Sequence, residues 1–383
     1  MWLKRKIFDE EHDMFRRSFR AFVEDKILPF HEDWEKDGIV PKSVWTDAGE
    51  LGFLCPCVPE AYGGAGVDFR YSMVVMEELA KAHASGVSFG LHSDIIAPYI
   101  VHYGSEEQKK RFLPGCVSGE TILAIAMSEP NTGSDLAAIQ TTAVKTDDGY
   151  VLNGQKTFIS NGWLADLVIV AAKTDPKAQP AHAGVSLFLV ESSREGFKRG
   201  KKLKKIGMKA QDTSELYFED CLIPKENLLG DEGAGFYYLM QQLSQERLVV
   251  AVCAQAAAKQ ALEWTMEYTK ERKAFGRSIS RFQNTRFALA EIATEIALGE
   301  AFVDRVVEDL LEGQSPVVAA SMAKWWVSEA LKRNVDRCLQ FFGGYGYMEE
   351  YPIAKAYLDA RVQTIYAGTT EIMKEIISRN MDL

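Results

Sequence analysis

Residues 239–257 read LMQQLSQERLVVAVCAQAA, and their spacing is that of a long helix with one buried face. Positions that lie four, three, four, three and four residues apart form a single stripe on such a helix. Every member of the stripe except Glu246 is apolar or small; the members are Leu239, Leu243, Glu246, Val250, Cys253 and Ala257. The pattern predicts an interior helix from Phe236 to Lys270 that carries one acidic side chain inward.

The acidic member of the stripe has two interpretations. A carboxylate removed from water has a raised pKa, which brings it toward the working range of a general base. A buried acid is more often simply paired with a basic residue on a facing helix. The pattern by itself favours the ion pair and leaves both interpretations of Glu246 open.

Outward from this helix, the chain falls into three zones. We expect an α+β multi-domain protein with an N-terminal helical domain (1–120), a middle antiparallel β-domain (121–230) and a C-terminal four-helix-bundle domain (231–383). In the first zone, apolar residues recur at helical spacing from Met14 through Phe19 to Val23. The last zone has helical spacing over 236–270, 283–312, 317–342 and 370–379, with the short connections of an antiparallel bundle.

The middle zone has the texture of a β-sheet. Short apolar runs at 167–172 and 185–190 are bounded by turn residues. Asp147-Asp148-Gly149 divides two stretches that alternate polar and apolar residues, which predicts a hairpin. Residues 198–205 are rich in lysine and arginine. We expect these side chains to lie on a solvated strand edge. The alternative is that they steer phosphates or an acidic partner.

Composition limits the classes of function. The 383 residues are 47% hydrophobic with a net charge of −10, which favours a substantial core and argues against a broad nucleic-acid surface. We expect no membrane span, since no apolar run approaches about 20 residues. We expect no bound metal, because Cys55-Pro56-Cys57 lacks a second pair. Without a visible targeting segment, we expect a cytoplasmic protein, or a mitochondrial-matrix one if the chain is a mature eukaryotic form.

Five further segments could contact a ligand, although neither a G-x-G-x-x-G nor a P-loop motif is present. Each combines glycine, hydroxyl, basic or aromatic residues in a way that suits close approach to a flat or anionic group. Each also has an ordinary explanation as a turn, a strand end, a solvated loop or a helix cap. The segments are Met127–Asp135, Lys156–Gly162, Arg272–Arg277, Phe341–Tyr347 and Tyr366–Glu371.

These segments and the Glu246 helix, in this order, resemble the acyl-CoA dehydrogenase family over nearly the whole chain. Ala126–Asp135 is similar to the first signature of that family, and Gln340–Tyr347 falls in the second. Residues 350–357, EYPIAKAY, are similar to the long-chain subgroup.

The resemblance implies FAD as the cofactor and an obligate homo-oligomer, usually a tetramer. It places backbone of Met127 and Ser128 at the pyrimidine side of the flavin, Phe158 on the ring system and Ser160 near N5. Arg272 and Phe275 would contact the pyrophosphate of a neighbouring subunit. The positions matched around the adenosine half are Gln283, Gln340, Gly344, Thr369 and Glu371, and those matched along the CoA and acyl path are Ser134, Tyr237, Ser244, Arg247 and Gly368.

One departure from the family pattern is informative. Many members carry the catalytic glutamate in Tyr-Glu-Gly-Thr before the last helix, where this chain has Ala367. Long-chain and isovaleryl-type members instead carry it in a Glu-Arg pair on the long bundle helix, which Glu246 and Arg247 match. The resemblance therefore implies Glu246 as the base, with the backbone N–H of Ala367 donating to the thioester oxygen.

We thus expect α,β-dehydrogenation of an acyl-CoA, of medium or long chain, to the trans-2-enoyl-CoA, with electrons passed to an electron-transfer flavoprotein. A dehydrogenase for branched short-chain or alicyclic acyl groups, an acyl-CoA oxidase, and a catalytically silent homologue are the alternatives.

Overall fold

The computed structural model describes residues 4–314 and 316–381. Their helices and strands fall in three successive stretches, which are helical, then β, then helical again. The predicted α+β fold class is therefore confirmed.

Helices make up the first stretch: α1 (Glu10–Phe22), α2 (His31–Asp37), α3 (Lys42–Glu50), α4 (Phe69–Lys81), α5 (Ala97–Tyr103) and α6 (Glu106–Ser118). α1 and α6 begin with capping boxes, in which Asp9 and Ser105 accept backbone N–H groups of the first turn. Phe19 is buried as predicted, but Met14 is 57% exposed. Met14 lies about 100° around the helix from the Phe15–Phe19 line, so its side chain points to solvent.

The second stretch forms one sheet with the strands β1 (Leu123–Ala126), β2 (Thr142–Lys145), β3 (Gly149–Ser160), β4 (Leu167–Lys173), β5 (Val185–Glu191), β6 (Phe197–Lys202), β7 (Thr213–Pro224) and β8 (Leu228–Leu229). The strand order is β6-β7-β3-β2-β4-β5-β8, with β1 beside β4. The predicted hairpin joins β2 to β3. Most pairs are antiparallel, but β1 and β2 both run parallel to β4.

The basic run begins on β6, which pairs only with β7 and so forms an edge of the sheet. Lys198 forms an exposed ion pair with Glu219 on β7. This is the solvated edge that the sequence predicted.

The third stretch contains α7 (Gly235–Glu271), α8 (Gln283–Leu311), α9 (Val317–Phe342), α10 (Pro352–Ala360) and α11 (Thr370–Arg379). A small hairpin, β9 (Lys273–Ala274) and β10 (Arg277–Ser278), connects α7 to α8. The four helices predicted here are confirmed to within one residue at each end. The sequence did not predict α10, which is only 9 residues long and starts at Pro352.

One apolar core runs through all three stretches. It includes Met73 of α4, Tyr99 of α5, Leu187 of β5, Leu248 of α7 and Val327 of α9. α7 packs against α4, α8 and α9, and also touches β5, so the predicted site helix lies where the three stretches meet. Within residues 4–314 and 316–381, no helix combines the length and apolarity needed to cross a membrane.

Candidate active site

The α7 helix buries the face on which Glu246 lies. Leu239, Leu243 and Val250 of the stripe are buried, and Cys253 and Ala257 are half-buried. Glu246 is only 8% exposed. Glu246 is therefore removed from water on the buried face of α7, as the spacing predicted.

The electrostatic surroundings of Glu246 distinguish between its two interpretations. Burial raises the pKa of the Glu246 carboxyl to about 7, although the charges of Arg247 and Lys324 act against the rise. The Oε2 atom has no hydrogen-bond partner, and Glu246 forms no ion pair within the described residues. The interior ion pair that the pattern alone favoured is absent there. A buried carboxyl group with a pKa near neutrality suits a general base.

Two neighbours of Glu246 are also buried polar groups. Arg247 donates from Nη1 to Ser321 Oγ of α9 at 3.3 Å, while its Nε has no partner. Tyr99 of α5 is fully buried, and its hydroxyl has no partner. Burial and the charge of Glu246 raise the pKa of Tyr99. Because unsatisfied polar atoms are costly in an interior, they indicate a place where a polar ligand can complete the bonding.

The turn before α11 is reached from α9. Ala367 and Gly368 both have left-handed backbone, with φ of 52° and 90°. Lys324 of α9 donates from Nζ to the Gly368 carbonyl at 2.6 Å. The Ala367 N–H donates to no group in the described part of the chain. Thr369 caps α11 by accepting from the N–H of Ile372. The turn thus offers a backbone donor, and Lys324 connects it to the surroundings of Glu246.

A second group of predicted residues lies on the sheet. The backbone of Ser128 accepts from the Thr157 N–H at 3.0 Å, which joins the segment after β1 to β3. Lys156, fully buried, donates to the Met127 carbonyl at 3.0 Å and to Glu129 Oε1 at 2.8 Å. Burial lowers the pKa of Lys156 to about 8 against the opposing effect of Glu129. This buried pair fixes the two segments that contain the predicted flavin contacts.

The register of β3 against β7 shifts between Lys156 and Ile159, and Phe158 lies within that shift. Its φ is 59° and its side chain is 71% exposed. A β-bulge therefore turns an aromatic ring out of the sheet in a conformation that is unfavourable for a residue with a Cβ. Ser160, two residues on, is half-buried at the strand end.

A third group surrounds a cavity of about 480 Å³ between the end of α7 and the turn after α9. Its lining includes Arg272, Gln340 and Gly344, all predicted contacts, together with Tyr268 and Tyr345. A Cβ added at Gly344 would meet no atom within 4 Å, so the space over this glycine is open. An arginine, a glutamine and two tyrosines around an open cavity fit an adenosine group and its phosphates.

The other predicted residues do not lie together at one site within this chain. Phe275 is 95% exposed on the β9–β10 hairpin and touches the ring of Phe282. Gln283 and Ser134 are exposed, Tyr237 is 60% exposed, and none of these lines the cavity. Glu371 is exposed in the first turn of α11, where hydrogen bonds from its own backbone N–H and from Thr369 lower its pKa.

The sequence interpretation missed Lys324, Tyr99 and the Lys156–Glu129 pair. Lys324 had a detectable signal, because Val317, Ser321, Lys324, Ser328 and Leu331 follow the spacing that identified Glu246. Tyr99 had none, since an apolar helix with a tyrosine is ordinary core sequence.

Comparison with known proteins agrees along the whole chain. Family models match residues 9–120 (acyl-CoA dehydrogenase, N-terminal domain), 124–221 (middle domain) and 233–381 (C-terminal domain). The mitochondrial long-chain specific acyl-CoA dehydrogenase of Sus scrofa is 50% identical over 378 residues, which cover 98% of this chain and 88% of that protein.

Solved structures give the same result. The acyl-CoA dehydrogenase of Geobacillus kaustophilus is 57% identical with a TM-score of 0.98, covering 99% of this chain and all of that one. An acyl-CoA dehydrogenase of Bacillus anthracis, complexed with FAD, is 34% identical with a TM-score of 0.92, covering 99% of this chain and 68% of that one. The chain therefore belongs to the acyl-CoA dehydrogenase family.

Proposed function

We propose that this protein oxidises the Cα–Cβ bond of a medium- or long-chain acyl-CoA to the trans-2-enoyl-CoA, with Glu246 as the base and FAD as the hydride acceptor. The observation that carries the proposal is the state of Glu246, which is buried, unpaired and raised in pKa to about 7 on the helix where the three parts of the fold meet. The sequence relative named for long-chain substrates supports the substrate class.

The residues on the sheet and around the cavity are suited to bind a flavin. Phe158 offers an exposed ring beside the backbone of Met127 and Ser128, and Ser160 follows at the strand end. The cavity at Arg272, Gln340 and Gly344 would hold the adenosine half of a flavin shared with a neighbouring subunit. When bound, FAD supplies the two-electron acceptor for the β-hydrogen.

The residues of the chain supply the proton chemistry. The Glu246 carboxylate takes the α-proton, and the electron pair of the broken Cα–H bond places negative charge on the thioester oxygen. The carbonyl is restored and the Cα–Cβ double bond forms as the β-hydrogen leaves as hydride. The Ala367 N–H, which has no partner of its own, would donate to that oxygen. Ser244 and Arg247 on α7, and Gly368 in the turn, would border the acyl thioester. Apolar walls around Glu246 exclude water, which keeps its pKa near neutrality and its basicity available.

The proposal is tested by mixing the FAD-loaded protein anaerobically with straight-chain CoA thioesters of increasing length and with branched and alicyclic ones. We expect bleaching of the flavin absorbance with one equivalent of enoyl-CoA formed, fastest with a medium or long straight chain. A flavin that stays oxidised with every thioester would contradict the proposal.

The electron acceptor requires a separate measurement. We propose an electron-transfer flavoprotein as the partner, so the reduced protein should be reoxidised quickly by such a flavoprotein and slowly by oxygen. Rapid oxygen consumption with acyl-CoA would instead identify an oxidase.

We also propose that the working form is a homo-oligomer, of four copies by analogy with the family. Phe275 is 95% exposed, and among the aromatic rings of the described residues it touches only Phe282. A partner subunit whose flavin lies against this hairpin would give the exposed ring a function.

A further inference from the structure

Lys324 is a buried cation without a carboxylate partner. It is fully buried on α9, and in the described part of the chain it forms no ion pair. Its hydrogen bond is the 2.6 Å contact from Nζ to the Gly368 carbonyl. Lysine is almost never fully buried unless it is paired, so a lysine kept here for one backbone carbonyl calls for a functional explanation.

The turn that Lys324 contacts has a demanding conformation. Ala367 has a Cβ and yet adopts a φ of 52°, a conformation that must be held by its surroundings. α9 holds the turn at two points, because Glu329, five residues after Lys324, accepts from the Thr370 hydroxyl at 2.8 Å. The free N–H of Ala367 is thereby kept in a fixed direction.

Charged groups on three helices act on Lys324. Glu246 and Arg247 lie on α7, Glu329 on α9 itself and Glu371 on α11. Burial, together with the charge of Arg247, lowers the pKa of Lys324 to about 8, while the three carboxylates act to raise it. In return, the positive charge of Lys324 lowers the pKa of Glu246 against the effect of burial.

We propose that Lys324 is a positioning residue for the reaction: its hydrogen bond to the Gly368 carbonyl holds the turn that presents the Ala367 N–H to the thioester oxygen. The positive charge of Lys324, which lowers the pKa of Glu246, supports this role. This inference rests on the proposed function, since it assumes that Glu246 and the Ala367 N–H act on the same thioester.

The test compares Lys324→Met and Lys324→Arg with the unmodified holoenzyme, using Lys81→Met, an exposed lysine at the end of α4, as the control. The first readout is the pH profile of anaerobic flavin reduction. For Lys324→Met, we expect the acid-side pKa to rise by about one unit and the plateau rate to fall at least tenfold. For Lys324→Arg, we expect the pKa to stay unchanged while the rate falls, because the charge remains and the contact with Gly368 changes.

The second readout does not depend on turnover. The carbonyl stretch of a bound, non-oxidisable acyl-CoA thioether analogue bearing a ketone reports hydrogen bonding at the oxygen site. Its shift to lower frequency should weaken in Lys324→Met and persist in Lys81→Met. If Lys324→Met does not fold, the rate and carbonyl shift of Lys324→Arg decide the hydrogen-bonding role.

The outcomes separate this inference from the proposed function. If Lys324→Met leaves the acid-side pKa of flavin reduction and the carbonyl shift unchanged while Glu246→Gln is inactive, the positioning role alone is overturned. Full flavin reduction by Glu246→Gln would overturn the proposed function, and this inference with it.

Discussion

At the residue scale, the decisive feature is that a helix buries one carboxyl group without pairing it with a cation. Glu246 is flanked in sequence by Arg247, yet the arginine side chain reaches Ser321 on α9. Successive residues point about 100° apart on a helix, so adjacent charges need not meet. The result is a carboxyl group with a pKa near 7 in place of a buried ion pair.

This pKa predicts a pH dependence. Glu246 must be deprotonated to accept the α-proton, so flavin reduction should fall about tenfold per pH unit below roughly 7 and level off above it. Anaerobic stopped-flow measurements from pH 5.5 to 9 would show the transition. A rate that stays constant down to pH 5.5 would mean that another group is the base.

The buried pair of Lys156 and Glu129 predicts an effect on stability. Lys156→Met leaves a buried carboxylate that has lost its cation, and breaking such a pair costs about 3–5 kcal/mol. We expect a clear drop in the free energy of unfolding and poorer retention of FAD, as measured by denaturant titration and flavin absorbance. The double variant Lys156→Met, Glu129→Gln should recover part of the loss, and a single variant as stable as the parent would contradict the pair's role.

At the element scale, β3 shows how a strand can present a ligand contact. The bulge at Phe158 costs pairing with β7 and places an aromatic ring in solvent. Neither effect stabilises the isolated chain. Both are explained if a flat ligand ring covers the side chain of Phe158. The sequence could predict the strand but not the bulge, since a bulge depends on the register with β7, more than fifty residues later.

Phe158→Ala tests this interpretation. Because the ring is 71% exposed, we expect little change in the melting temperature of the apoprotein. We expect FAD to dissociate about tenfold more readily, which corresponds to the loss of one aromatic contact of about 1.4 kcal/mol. Val144→Ala, another exposed apolar residue of the sheet, is the control. Equal FAD affinity in both variants would exclude the stacking role.

At the scale of the whole molecule, periodicity predicted most of the architecture. Helices α7, α8 and α9 each carry a stripe long enough to be identified from the sequence. The 10-residue α11 was predicted with the help of the threonines at its start, whereas the 9-residue α10, which begins at Pro352, was missed. The resemblance to a family implied roles for Glu246, Phe158 and Arg272, but it gave no reason to examine Lys324. That residue matters through a contact with Gly368, 44 positions away, which only the packing of α9 against the last turn creates.

The exposed β9–β10 hairpin leads to a prediction about assembly. If Phe275 contacts a flavin held by another subunit, Phe275→Ala should weaken FAD binding roughly 30-fold, the loss of about 2 kcal/mol at an interface anchor. The apoprotein should keep its melting temperature, because the ring packs on little of its own chain. Sedimentation should give the mass of four chains. A monomeric protein that retains FAD would contradict the shared site.

The proposed role of Glu246 in removing the α-proton can be tested with one substitution. Glu246→Gln keeps the shape of the side chain and removes its basicity, while Glu267→Gln makes the same change at an exposed position of the same helix. Both variants should bind FAD and acyl-CoA. In anaerobic single-turnover experiments, we predict that Glu267→Gln bleaches the flavin like the unmodified protein, whereas Glu246→Gln does so orders of magnitude more slowly. Flavin reduction by Glu246→Gln at the unmodified rate would contradict the account.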